Sequence, residues 1–188
     1  MPADVGELPN SGISDPQLAR MLFKDVTGRD PSTRELAQLL ARRLNYLPEA
    51  IAQAEGYAVK PGAPELLAHL GSDGYLLGVA TGAVEAAAHI ELARGDLGRH
   101  FTFGGYGSDS ADRVELTRVA LERAGIVVGR QLNQSEALVV GDSPDDMQAA
   151  LGAGAVPVGV ASGRFNADQL REAGAEFVIG SLQDPLPL

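Results

Sequence analysis

Short apolar runs alternate with helical patterns along the chain beyond Pro61, and this alternation restricts the possible folds more than any other feature. The runs predicted to be strands cover residues 75–80, 101–103, 137–140, 155–160 and 176–179. Helices are predicted between them, at residues 83–93, 110–124, 146–151 and 166–173. Alternating strands and helices form a mostly parallel sheet with right-handed crossovers. We therefore predict an α/β fold, whose ligands bind beyond the carboxyl ends of the strands.

The residues before this region are predicted to form a separate helical block. Two Asp-Pro pairs, at 15–16 and 30–31, are typical of helix starts. A third helical piece is predicted at about 47–55. Residues 15–58 are therefore expected to be all helical, after a loop at 1–14.

Charge and composition exclude several classes of function. The net charge of −10 disfavours nucleic acid as a partner, because phosphate backbones are bound by clusters of Lys and Arg. The absence of Cys excludes disulfides, thiol nucleophiles and thiolate metal sites. The N-terminus lacks the pattern of a signal peptide, and no apolar run approaches the ~20 residues of a membrane span. These features favour a cytoplasmic protein without a membrane partner.

A hydroxyl and a glycine follow the first predicted strand, at Thr81 and Gly82. A hydroxyl, backbone N–H groups and a helix N-terminus together favour a bound phosphate. The alternative is structural, with Thr81 as a helix cap and Gly82 in a tight turn. Both interpretations stay open on these residues alone.

Three carboxylates follow the strand at 137–140, on Asp142, Asp145 and Asp146. Carboxylates this close repel one another unless a cation lies among them. Mg²⁺ accepts one or two protein carboxylates and completes its shell with water and substrate oxygens. We interpret Asp142 as a metal ligand, whereas Asp145 or Asp146 could instead cap the following helix.

Arg113, at the start of the helix predicted at 110–124, is a candidate cation for the site. Helical spacing places it on the same face as Leu116 and Ala120, so that it could point inward and neutralise a phosphate. The alternative is a solvated side chain, and Arg118 is a competing candidate. The three histidines share no metal-ligand spacing and are interpreted as structural or surface residues.

Taken in order, these motifs resemble those of the haloacid dehalogenase superfamily, in particular its phosphoglycolate-phosphatase-like members with a small helical cap. The resemblance covers residues 12–188 and implies a Rossmann-like three-layer parallel sheet. It implies a cap at 15–58 and a core formed by 1–14 and 59–188. Thr81 and Gly82 then match the phosphate-binding motif, and Asp142 and Asp146 match the Mg²⁺-binding G-D-x-x-x-D motif, while Arg113 stands where the family usually has a Lys.

The first motif of this family, D-x-D-G-T-L after a central strand, has no clear counterpart. Ungapped alignment places Ala3 at the nucleophile and Val5 at the acid/base position, and a one-residue gap would bring in Asp4. We assign no residue as nucleophile. The strand that should lie between those ending at Thr81 and Asp142 is expected to be absent. A shortened or misread start, a degenerate homologue and a redesigned start would all explain this pattern.

The resemblance implies a Mg²⁺-dependent phosphatase by descent, acting on a small phosphorylated metabolite. Without the nucleophile, we expect turnover near background. The alternative from another class is a non-catalytic protein that binds a metal, a phosphate or a partner. A dehalogenase is disfavoured, because that chemistry needs no metal and also requires the missing Asp.

Overall fold

The computed structural model describes residues 12–188, and the positions of the predicted first motif lie outside them. The helices are α1 Asp15–Thr27, α2 Thr33–Gln53, α3 Ala63–Ser72, α4 Glu85–Arg94, α5 Arg113–Val128, α6 Pro144–Ala153 and α7 Ala167–Glu172. The strands are β1 Gly78–Thr81, β2 Phe103–Tyr106, β3 Leu138–Gly141, β4 Val156–Val160 and β5 Phe177–Ile179. None of the helices in this part of the chain is long and apolar enough to cross a membrane.

The strands form two parallel sheets, which confirms the predicted α/β class. Strand β1 pairs with β2, and β3, β4 and β5 form a second sheet in that order. Within residues 12–188, no strand lies between β1 and β3 to join the two sheets. This is the place where the resemblance puts the first central strand.

Helix α5 lies between the sheet formed by β1 and β2 and helix α6. It contacts β1 and β2 on one side and α6 on the other. Gly105 of β2 allows this close packing, because a Cβ there would overlap the backbone carbonyl of Leu116. The side chains of Leu116 and Met147 are almost fully buried along these contacts. Helix α5 is therefore the main described connection between the two sheets.

Helix α2 is longer than predicted, since the expected separate piece at about 47–55 belongs to it. The helix continues through Pro48, which removes one backbone donor. Its apolar stripe packs against α4 in a cluster formed by Leu40, Leu44, Leu47, Ile51, Val84 and Ala87. Burial of this stripe outweighs the cost of an internal proline.

Other boundaries differ from the predictions in ways that side chains explain. Ser14 caps α1, one residue before the expected Asp15, and Ser32 caps α2, two residues after the expected Asp30. Helix α5 runs through Gly125 and ends at Gly129, which adopts a left-handed conformation. Strand β2 lies later than the predicted 101–103, because Gly105 at its centre packs against α5 and this burial outweighs local propensity.

Candidate functional site

Residues 12–14 lie against both the loop that follows β1 and the loop that follows β3. Gly12 lies against the Asp145 carboxylate, so that a Cβ on this glycine would overlap it. Ser14 lies against Gly82, where a Cβ would be 3.0 Å from the Ser14 Cα. The carboxyl ends of β1 and β3 therefore face the same edge of the molecule, as expected for ligand binding in an α/β fold.

The loop after β1 is held by a dense set of hydrogen bonds. The Thr81 hydroxyl accepts from the Ala83 N–H at 3.2 Å, and the Gly82 carbonyl accepts from the Asp15 N–H at 2.8 Å. The Asp15 carboxylate accepts from the Val84 N–H at 2.9 Å. The Glu85 N–H donates to the Ser108 hydroxyl at 3.2 Å. Protein groups thus accept from the N–H groups of Ala83, Val84 and Glu85, which favours a phosphate site nearer to Thr81 and Gly82.

The loop after β3 forms the cap of helix α6. The Ser143 side chain caps the helix, and Asp146 completes a capping box from the third helical position. One carboxylate oxygen of Asp146, Oδ2, accepts from the Asp142 and Ser143 N–H groups at 3.2 and 3.1 Å and from the Ser143 hydroxyl at 2.7 Å. Asp142 itself is exposed, with its carboxylate beside Gly163 in the loop after β4.

Arg113 and Asp146 are two predicted site residues, 33 positions apart, whose side chains the structure brings into direct contact. The Arg113 Nε and Nη2 donate to Asp146 Oδ1 at 2.9 and 2.6 Å. The Arg113 side chain is 28% exposed and that of Asp146 14% exposed, so the pair is half-buried. Arg118 lies elsewhere and donates to the Gly152 carbonyl of α6 at 3.0 Å. The cation that reaches the acidic loop is therefore Arg113.

The residues present fit Mg²⁺ only in part. No group of three or more His, Cys, Asp or Glu side chains with metal-binding geometry occurs in the described part of the chain. Mg²⁺ nevertheless needs only one or two protein carboxylates. Asp142 offers an exposed carboxylate, whereas both oxygens of Asp146 already accept hydrogen bonds. The assignment of both aspartates as ligands stays a prediction.

Asp15 is a residue of this region whose contacts the sequence did not reveal. Its Oδ2 accepts from Val84 and also from Arg43 Nη1 of α2, at 3.0 Å. The second terminal nitrogen of Arg43 reaches Glu91 of α4 at 3.4 Å. Asp15 and Val84 are 69 positions apart in the chain, so no local pattern could have paired them.

A separate cavity of about 380 Å³ lies beside β2 and contains none of the predicted site residues. Its lining includes Tyr106 and Arg123. Arg123 forms two hydrogen bonds of 2.8 Å to the Asp109 carboxylate, which also accepts from the Tyr106 N–H. His89 also lines the cavity, and its side chain is largely exposed, which agrees with its interpretation as a surface residue.

Comparisons with known proteins identify the same family as the motifs. The family model for haloacid dehalogenase-like hydrolases matches residues 17–154. No curated protein matches the chain. The fold is similar to that of a hydrolase from Pseudomonas syringae, with 25% identity, a TM-score of 0.65 and coverage of 93% of this chain and 76% of that one.

Two further solved structures share the fold at lower identity. The protein CbbY from Rhodobacter sphaeroides, solved in complex with phosphate, is 19% identical with a TM-score of 0.68, and the match covers 88% of this chain and 74% of that one. A predicted phosphoglycolate phosphatase from Haemophilus somnus is 20% identical with a TM-score of 0.65, over 90% of this chain and 73% of that one.

Proposed function

The chain belongs to the haloacid dehalogenase-like hydrolase family, and we propose that it is by descent a Mg²⁺-dependent hydrolase of small phosphate monoesters. The observation that carries the proposal is the Arg113–Asp146 contact. It joins a cation to the acidic loop after β3, beside the edge where β1 ends in Thr81. A cation, a hydroxyl and carboxylates at one sheet edge suit a phosphoryl group and a divalent metal.

Each residue has a distinct role in this proposal. The Thr81 hydroxyl and the Gly82 N–H donate to phosphoryl oxygens, since donors at the start of α4 already bind protein groups. Arg113 holds Asp146 and adds positive charge near the phosphoryl group. Asp142 offers its exposed carboxylate to Mg²⁺, with Asp146 beside it. Bound Mg²⁺ would neutralise charge on the phosphoryl oxygens.

We further propose that turnover is near background in this chain. Phosphoryl transfer through an aspartyl-phosphate, the route that the resemblance implies, needs a positioned carboxylate as nucleophile. The positions that match the family's nucleophile and acid/base carry Ala3 and Val5, which lie outside the described residues. The described residues supply binding groups and charge, and none of them is assigned the attack on phosphorus.

The test is a phosphatase assay on p-nitrophenyl phosphate and phosphoglycolate, each with Mg²⁺ and with EDTA. The chain is compared with a version given an N-terminal strand that ends in D-x-D-G-T-L. Activity only in the repaired version supports the proposal, and Asp142→Asn in that version should then abolish the Mg²⁺-dependent turnover. Robust Mg²⁺-dependent turnover of the unaltered chain contradicts the loss of activity, and Asp4→Asn would then test the first alternative nucleophile.

A non-catalytic binding protein is the second candidate. It is favoured by the lack of a carboxylate at the positions that match the family's nucleophile and acid/base, which carry Ala3 and Val5. Inactivity of both versions, together with measurable binding of inorganic phosphate or Mg²⁺ by the unaltered chain, would support this function.

A further inference from the structure

We propose that Asp15 is a positioning residue that fixes the phosphate-binding loop after β1 and couples it to the helical block through Arg43. The inference rests on the proposed function for the role of the loop. Its structural part, that Asp15 sets the loop conformation, depends only on contacts within residues 12–84.

Asp15 binds the loop through both its backbone and its side chain. Its backbone N–H donates to the Gly82 carbonyl at 2.8 Å, and its carboxylate accepts from the Val84 N–H at 2.9 Å. The side chain is only 11% exposed, and the neighbouring Ser14 is 2% exposed. These two bonds fix the peptide groups on either side of Ala83, directly after the Gly82 N–H that is proposed to bind phosphate.

Helix α4 depends on this contact because its own cap is poor. The N-cap residue is Val84, which has no side-chain capping hydrogen bond and is among the least favoured residues at that position. The Asp15 carboxylate supplies a negative charge at this helix N-terminus, where the helix dipole favours one. The Asp15 carboxylate therefore caps the N-terminus of α4. The proposed phosphate site formed by Thr81 and Gly82, called here the phosphate seat, then lies before this helix rather than at its first turn.

A carboxylate this close to a phosphate seat would repel a dianion unless a cation compensated it. Arg43 is that cation, with Nη1 3.0 Å from the Asp15 carboxylate and Nη2 3.4 Å from Glu91. Arg43 lies in α2, Asp15 in α1 and Glu91 in α4. A displacement of α2 would therefore leave Asp15 without its counter-ion and weaken phosphate binding. The position of α2 would in this way affect the loop after β1.

The test combines two readouts on Asp15→Ala, Asp15→Asn and Arg43→Met in the full chain. Amide hydrogen exchange of Val84, followed by NMR, reports on the loop without any ligand. Titration with inorganic phosphate reports on the seat. Exchange of the Val158 amide, in the second sheet, reports on global unfolding and separates loop opening from loss of the fold. Asp30→Asn is the matched control, because Asp30 forms an exposed ion pair with Lys24 in the same block.

Loss of a hydrogen bond to a charged group should accelerate Val84 exchange in Asp15→Ala by about tenfold or more and weaken phosphate binding by about tenfold. Asp15→Asn keeps an acceptor for Val84 and should restore slow exchange. Arg43→Met should leave Val84 exchange slow but weaken phosphate binding by about two- to fivefold, within the range of a partly exposed ion pair. Asp30→Asn should change neither readout.

Unchanged Val84 exchange in Asp15→Ala would overturn the inference, whatever happens to phosphate binding. Faster exchange with undiminished phosphate affinity would overturn the link between the loop and the seat. If the unaltered chain binds no phosphate, the proposed function fails at the binding step. The exchange data would then still decide whether Asp15 fixes the loop.

Discussion

Replacement of Arg113 by Met tests whether the ion pair with Asp146 stabilises the arrangement of the two strand-end loops. The substitution keeps much of the apolar length of the side chain and removes two hydrogen bonds to Asp146 Oδ1. Exposed ion pairs contribute about 0–1 kcal/mol, whereas breaking a buried one costs about 3–5 kcal/mol. With side chains 28% and 14% exposed, the pair lies between these limits. We expect a loss of about 2 kcal/mol, close to the value for hydrogen bonds to charged groups.

The assay is urea unfolding followed by far-UV circular dichroism, since the chain contains no Trp for fluorescence. Asp146→Asn and the double variant complete a double-mutant cycle, in which we expect a coupling energy of about 1 kcal/mol. Lys24→Met removes an exposed pair and should change the free energy of unfolding by less than about 0.5 kcal/mol. A coupling below about 0.3 kcal/mol would refute the reasoning, because independent sites already deviate from additivity by that much.

Three further predictions concern packing and titration. Gly105→Ala should destabilise the fold by about 2–3 kcal/mol in urea unfolding, because its Cβ would overlap the Leu116 carbonyl, whereas Gly71→Ala in α3 meets open space and should stabilise by about 0.5–1 kcal/mol. Hydrogen bonds from the Arg130 side chain and the Asn133 backbone lower the pKa of Glu136 to about 2, so an NMR titration should place it there in the unaltered chain. In Arg130→Met the pKa should rise but stay below its ordinary value, because the Asn133 hydrogen bond is kept. Burial raises the pKa of Asp109, but hydrogen bonds from Arg123 and the Tyr106 N–H outweigh it and lower the pKa below its usual value. This contribution to stability is present above about pH 4 and is lost as the pH falls through the folded-state pKa, so acid unfolding of Arg123→Met should show a weaker loss below pH 4. Unchanged titration or acid-unfolding curves in the Arg variants would contradict these two assignments.

The sequence predicted those features of the fold that depend on local pattern. The alternation of apolar runs and helical segments identified all five described strands, although β2 was placed too early. That error arose because Gly104 and Gly105 have low strand propensity, and the close approach of α5 to Gly105 emerges only from the structure. The prediction of a separate helical piece at about 47–55 was wrong for a similar reason, since the tertiary contacts of Leu47 with α4 keep α2 continuous.

Long-range contacts in the candidate site could not be predicted in the same way. The inward direction of Arg113 followed from helical spacing, but its partner Asp146 lies 33 positions away and emerged only from the structure. The Asp15 carboxylate was interpreted as part of a helix start, and its contacts with Val84 and Arg43 have no signature in the local sequence. The roles of Thr81, Gly82, Asp142 and Asp146 in phosphate and metal binding remain predictions.

The residues of the candidate site come from two sheets that no described strand joins by hydrogen bonds. Thr81 ends a strand of one sheet, and Asp142 follows a strand of the other. The spacing between a bound phosphate and a bound cation would therefore depend on the stiffness of a helix interface rather than on a continuous hydrogen-bonded ladder. A substitution at the contact between Val114 of α5 and Gly152 of α6 would then change the distance between phosphate and cation without altering any residue proposed to bind a ligand. The geometry of such a site would then be set in part by residues that contact no ligand.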